Sequence, residues 1–221
     1  MSVDIATNLK RLKERLPDEV TLVAVSKTKP DKDLTTAYEA GQRDFGENRI
    51  QEMTEKQERL PGDIRWHMIG HVQGNKIKYM APYVHMVHGM DKPKRFKELN
   101  KEAAKSNRII DCLLQVHIAS EESKFGFSYE EAEDFLQGDF RDRYPNVRLR
   151  GLMGMATFTD DKERVRTEFR ELAGFFKNMK DKLALAYFDV LSMGMSGDYE
   201  VALEEGSNMV RVGQAIFGPR N

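Results

Sequence analysis

The sequence predicts an α/β protein built as a closed (β/α)8 barrel, a TIM barrel, in one domain over residues 1–221. Three observations carry this reading. Short apolar runs rich in β-branched residues alternate with longer amphipathic stretches along the whole chain. Eight such runs occur, at 20–26, 43–46, 64–69, 84–88, 110–118, 147–153, 187–192 and 209–212. A length of 221 residues suits eight compact units and leaves no room for a second domain. An open doubly wound sheet is the other common arrangement of alternating strands and helices, but the count and the short connections favour closure.

Taken in order, the elements have local reasons. A first helix carries Leu9, Leu12 and Leu16 on one face. Thr21-Leu22-Val23-Ala24-Val25 has no polar face, as expected of a strand buried on both sides. Further helices are predicted near 31–40, 48–59, 74–80, 91–106, 129–137, 160–178 and 197–205. Ser128-x-x-Glu131 is a capping-box pattern, and Thr159-Asp160-Asp161 sets an N-cap and acidic residues before a long helix. Gly41 and Gly206 stand where a left-handed C-terminal cap is needed. The basic stretch Lys92-Pro93-Lys94-Arg95-Phe96-Lys97 is flanked by Asp91, Glu98 and Glu102, which marks a solvated helix face.

Composition narrows the function. A formal net charge of -1 gives no electrostatic reason to expect nucleic acid or an anionic membrane as partner. Cys112 is the only cysteine and lies in an apolar run, so it reads as a small core residue. The start lacks a secretory pattern and no segment approaches a membrane span, which makes a cytoplasmic location the default.

A barrel gathers its chemistry at the C-terminal ends of its strands. Lys27 ends the first run. It reads either as a strand-end lysine snorkelling into solvent or as a desolvated amine suited to Schiff-base chemistry. Ser192-Met193-Gly194-Met195-Ser196-Gly197 is a small-residue turn into a helix whose N-cap is predicted to be Ser196. With Arg211-Val212-Gly213-Gln214 on the neighbouring strand, it forms a candidate phosphate site after strands 7 and 8. The histidines 67, 71, 85, 88 and 117 invite a metal reading. His67 and His71 fall in a strand pattern without a supporting acidic motif, however, so no metal site is assigned. No Ser-His-Asp elbow or dinucleotide glycine fingerprint is present.

The blocks VAVSKTKP, FGENRIQE, WHMIGHVQGNK, GLMGM and LSMGMSGDYEVALEEGSNMVRVGQAIFG resemble the pyridoxal 5'-phosphate (PLP) homeostasis proteins, whose fold is an alanine-racemase-like PLP barrel. They span residues 22 to 218 in the family's order. The resemblance implies PLP as cofactor, held as an internal aldimine on Lys27. It implies a phosphate bound by Ser196 and the backbone around Met195, Gly213 and Gln214, with Arg211 facing the pyridine nitrogen. Asn48 and Met153 would line the cofactor and Ser192 would lie near its ring. The implied role is intracellular PLP homeostasis, with little or no catalysis and with PLP-dependent apoenzymes or amino acids as further partners. A weak amino-acid racemase and, more distantly, a Schiff-base aldolase are the alternatives. The racemases that share the barrel add a dimer-forming domain for which this chain has no length, which points to a monomer. Arg49, His71 and His117 depart from the family pattern and are expected at the pocket rim.

Overall fold

The structure, a computed structural model, describes residues 3–120 and 125–219. Eight parallel strands close into a barrel in sequential order, each hydrogen-bonded to the next and the last to the first. They are β1 (Thr21–Val25), β2 (Asp44–Glu47), β3 (Arg65–Met68), β4 (Met86–Met90), β5 (Ile110–Gln115), β6 (Val147–Met153), β7 (Val190–Ser192) and β8 (Met209–Val212). The sixth and eighth match their predicted bounds. The seventh is shorter than predicted, because Phe188 closes a turn onto Leu185 and pairing starts only at Val190.

The helices form the outer layer: α1 (Ile5–Lys13), α2 (Asp31–Glu39), α3 (Ile50–Arg59), α4 (Ile77–Met80), α5 (Pro93–Lys105), α6 (Tyr129–Gln137), α7 (Phe140–Arg143), α8 (Lys162–Leu183), α9 (Tyr199–Glu204) and α10 (Gln214–Phe217). Ser128 and Glu131 make the predicted reciprocal capping box, and Asp161 caps α8 through the N–H groups of Glu163 and Arg164. Gly41 and Gly206 follow α2 and α9 with φ of 87° and 95°. The short helices α7 and α10 were not legible as periodic segments, since one turn carries no periodicity.

Alternation along each strand sorts side chains into two compartments. Leu22, Ala24, Phe45, Trp66 and Val87 face outward into the main core beneath the helices. Val23, Met86, Leu113, Met153, Val190 and Met209 face inward and form a separate apolar cluster inside the barrel. Below them, at the strands' N-terminal ends, Arg65 pairs with Asp44, and Arg148 and Arg150 pair with Asp111. The base is therefore plugged with ion pairs, which leaves the opposite end to open as a cavity.

Phe96 of α5 shows how the outer core is fastened. It is fully buried, with ring centroids 4.7 Å from Phe135 and 6.0 Å from Tyr144. Phe96→Ala is expected to lower unfolding free energy by about 3–5 kcal/mol in urea titration, the cost of an aromatic-sized hole in a packed core.

Candidate functional site

The C-terminal ends of the strands surround a cavity of about 880 Å³. Of the candidate residues, Lys27, Asn48, Met195, Ser196, Arg211, Gly213 and Gln214 line it. Met153 and Ser192 do not. Both are fully buried under the floor, Met153 in the inward apolar cluster and Ser192 against the Arg211 guanidinium.

Lys27 lies two residues beyond β1, in a turn held from behind. The Ser26 hydroxyl donates to Glu47 Oε1 at 2.6 Å. The Lys56 ammonium donates to the Ser26 carbonyl at 2.9 Å and to Glu47 Oε1 and Glu52 Oε1, each at 2.8 Å. Glu52 Oε1 in turn accepts the Thr28 N–H at 2.6 Å. The residues on both sides of Lys27 are thus tied to one cluster of charges. Thr28 sits at φ 63°, a left-handed conformation costing a β-branched residue on the order of 1–3 kcal/mol, so the turn needs such a tie. Glu47 is fully buried, and burial pushes its carboxyl up to about 7 despite the opposing pull of Lys56 and Ser26. Sequence reasoning missed this cluster. Its signal was Lys56 three residues after Met53 on the buried face of α3.

The opposite lip is built from the loops after β7 and β8. Gly194 at φ 98° makes the turn, and a Cβ there would stand 2.7 Å from Ala202 Cβ. The helix that follows starts at Tyr199 with Asp198 as N-cap, which corrects the predicted N-cap at Ser196. Asp198 Oδ1 accepts the Met195 N–H at 2.5 Å and so closes the turn itself. Ser196 is used differently: its hydroxyl accepts the Gly213 N–H at 3.2 Å and joins the two loops. Among the described residues, the backbone N–H groups of Ser196, Gly197 and Gln214 have no acceptor, so three donors at the lip are available to an anion.

The floor carries the cation. Arg211 is 3% exposed, and its Nη1 donates to the Ser192 hydroxyl at 2.6 Å and the Ser192 carbonyl at 3.0 Å. Its Nη2 donates to the Gly154 carbonyl at 3.1 Å. Burial lowers its pKa to about 10 while Asp198 pulls the other way, so it stays charged at neutral pH.

At the rim, His71 pairs with Asp91 at 3.2 Å and packs against Phe125 in a tilted arrangement with centroids 4.6 Å apart. His71 and His117 line the cavity, whereas Arg49 is exposed at the N-cap of α3 and is not among the lining residues. His67 lies in the barrel interior, far in environment from His71. Among the described residues, the group of metal-type ligand atoms is Asp44, His67 and His85 at the barrel base, within 4.8 Å of one another. The Arg65 guanidinium already binds both Asp44 oxygens there and opposes a second cation.

Comparison with known proteins places this geometry. The family model described as "Alanine racemase, N-terminal domain" matches residues 3–221. The pyridoxal phosphate homeostasis protein of Vibrio alginolyticus is 42% identical over 214 residues, covering 94% of this chain and 89% of its own length. That of Escherichia coli (strain K12) is 35% identical, covering 99% of this chain and 97% of its own. The chain belongs to the pyridoxal phosphate homeostasis protein family.

Solved structures agree on the fold. PipY of Synechococcus elongatus without PLP superposes with a TM-score of 0.92 at 32% identity, covering 97% of this chain and 100% of its own. The same protein with PLP bound gives 0.88. Alanine racemase from Bartonella henselae shares the barrel at TM-score 0.75 and 16% identity, and this chain covers 60% of it. In this homeostasis-family chain no described helix is long and apolar enough to cross a membrane.

The cluster behind Lys27 makes a pH prediction. Glu47 binds its proton more tightly folded than unfolded, its pKa rising from 4.5 to about 7. Its contribution to stability is therefore full below about pH 4.5 and is lost as pH rises to about 7. Relative to Glu47→Gln, the unsubstituted protein is expected to lose up to about 3 kcal/mol of urea-measured stability across that window. A difference that is flat with pH would contradict it.

Proposed function

We propose that this chain binds pyridoxal 5'-phosphate as a Schiff base on Lys27 and serves PLP homeostasis in the cytoplasm. It stores, buffers or delivers the cofactor to apoenzymes or amino acids, as a monomeric single-domain barrel with little or no catalysis of its own. The observation that carries the reading is the convergence on one cavity of an amine, a lip of unspent N–H donors and a buried guanidinium. The family's named relatives and the PLP-bound PipY structure support it.

The residues fit the group. Lys27 would supply the amine, at a mouth only partly open to water. The Ser196, Gly197 and Gln214 N–H groups, with the Ser196 hydroxyl, suit a phosphate. Arg211 and Asn48 would meet the ring, with Met195 at the lip and Met153 and Ser192 supporting the floor from beneath. When bound, PLP supplies an aldehyde for imine exchange and a ring that accepts negative charge from an attached carbon. Arg211, a cation and hydrogen-bond donor, suits an unprotonated ring nitrogen and keeps that electron demand low. This favours holding the cofactor over turning over amino acids.

A spectrum of the purified protein before and after PLP addition tests the reading. Schiff-base absorbance that borohydride fixes to Lys27 is expected, and a colourless protein that traps a sugar phosphate there would instead indicate an aldolase. Lys27→Ala should abolish that absorbance and leave the circular dichroism spectrum unchanged, and robust D/L amino-acid interconversion by the unsubstituted protein would favour a racemase. Ser196→Ala combined with Arg211→Ala should raise the PLP dissociation constant about tenfold or more, the scale of lost charge-assisted hydrogen bonds, as read by equilibrium dialysis.

A further inference from the structure

Two imidazoles inside the barrel have no part in the site described so far. His67 and His88 point inward from β3 and β4 and are 1% and 0% exposed. In a space closed to water, each ring nitrogen needs a partner. They find them in one line. Asp44 Oδ1 lies 3.0 Å from His67 Nε2, His67 Nδ1 lies 2.9 Å from His88 Nε2, and His88 Nδ1 lies 3.4 Å from the Ser192 hydroxyl. That hydroxyl accepts from Arg211 Nη1 at 2.6 Å. The line runs from the ion-paired base of the barrel to the cavity floor.

Its ends fix its direction. A guanidinium can only donate. Although burial works against ionisation, Arg65 and His67 hold the Asp44 carboxyl well below the usual carboxylate range, so it only accepts. Burial also keeps His88 neutral, with His67 and Arg211 adding to that effect. With one proton on each ring a single pattern satisfies every link: Arg211 donates to Ser192, Ser192 to His88 Nδ1, His88 Nε2–H to His67 Nδ1, and His67 Nε2–H to Asp44. The Ser192 hydroxyl, free to rotate in isolation, is thereby forced to turn its lone pair to Arg211.

We propose that Asp44, His67 and His88 are positioning residues that set, through the Ser192 hydroxyl, where Arg211 aims its donors at the cavity floor. None of the three touches the cavity, so they act only through Arg211. What Arg211 faces there rests on the function proposed above. The hydrogen-bond line itself does not. Solvent meets only its far end, where Arg65 is half exposed, and the His85 ring packs on His67 with centroids 5.2 Å apart.

Two arms test the proposal separately. In the PLP-free protein, long-range ¹⁵N–¹H correlation spectra of the imidazoles, assigned with His67→Gln and His88→Gln, should show both rings carrying the proton on Nε2. A proton on Nδ1 of either ring, or an imidazolium, overturns the line. In the PLP-loaded protein, His88→Leu removes the acceptor for Ser192 at similar bulk, whereas His88→Asn keeps a carbonyl near the Nδ1 position. His88→Leu should shift the Schiff-base absorbance maximum and raise the PLP dissociation constant about fivefold or more. His88→Asn should restore the constant to within about twofold, and Asp44→Asn, far from the cavity, should shift the same absorbance. Unchanged spectra and constants in both His88→Leu and Asp44→Asn, with PLP still on Lys27, overturn the coupling to Arg211. Failure of the unsubstituted protein to take up PLP would instead overturn the cofactor reading, and the tautomer measurement would still decide the line.

Discussion

Closing eight parallel strands into a ring forces every second side chain into a space that water does not reach, and the rest of the molecule answers that constraint. Apolar inward residues pack as Val23, Met86, Leu113, Met153, Val190 and Met209 do. Polar ones must be paired where they stand. At the base this produces the Arg65–Asp44 and Arg148–Arg150–Asp111 ion pairs, whose carboxylates are nearly buried although the arginines reach solvent. Such pairs add little by forming, yet leaving one carboxylate unpartnered would be costly. The barrel is thus sealed at one end by charge and filled in its middle by methionine and aliphatic side chains together with the hydrogen-bonded His67, His88 and Ser192. At the C-terminal end polar groups face a cavity.

The same logic explains why the turn bearing Lys27 is stiff. A flexible four-carbon amine on a loose loop would sample many positions, and binding would have to order it. Here the strand before it is hydrogen-bonded on both edges, and the residues flanking it are tied to Glu47, Lys56 and Glu52. Lys29 adds a third anchor, donating to the Phe217 and Pro219 carbonyls at the end of the described chain. The strained Thr28 is tolerated because these contacts over-determine it.

What could be read from the sequence follows from the range of the interactions involved. The strands β6 and β8 were legible to the residue because β-branched density and alternation are local. The capping box at Ser128 was legible for the same reason, whereas the cap expected within Thr159-Asp160-Asp161 falls on Asp161, so that α8 starts at Lys162 rather than near 160. The N-cap at Ser196 misled because two residues compete for the turn. Asp198 accepts the Met195 N–H, and the Ser196 hydroxyl is engaged by the Gly213 N–H in the loop after β8. Lys27, Arg211 and the two loops could be nominated as strand ends, but their meeting in one cavity depends on closure. The line from Asp44 to Ser192 could not be seen at all. It joins β2, β3, β4 and β7 through register, and register is a property of neighbours rather than of any segment.

Arg211 concentrates these consequences. Among the described residues no carboxylate is within ion-pair distance of it, so a full positive charge is held in the interior by three carbonyl or hydroxyl oxygens and by the more distant Asp198. Desolvating a guanidinium in this way is expensive, and burial accordingly lowers its pKa. A carboxylate in the Ser192 position would remove that cost but would also neutralise the field at the floor. The arrangement keeps the charge uncompensated and aims it instead. A dianionic phosphate ester and an electron-rich ring nitrogen are groups that such a floor attracts, and a protonated ring is one that it repels. Under the function proposed above, the guanidinium favours holding an unprotonated cofactor over activating it.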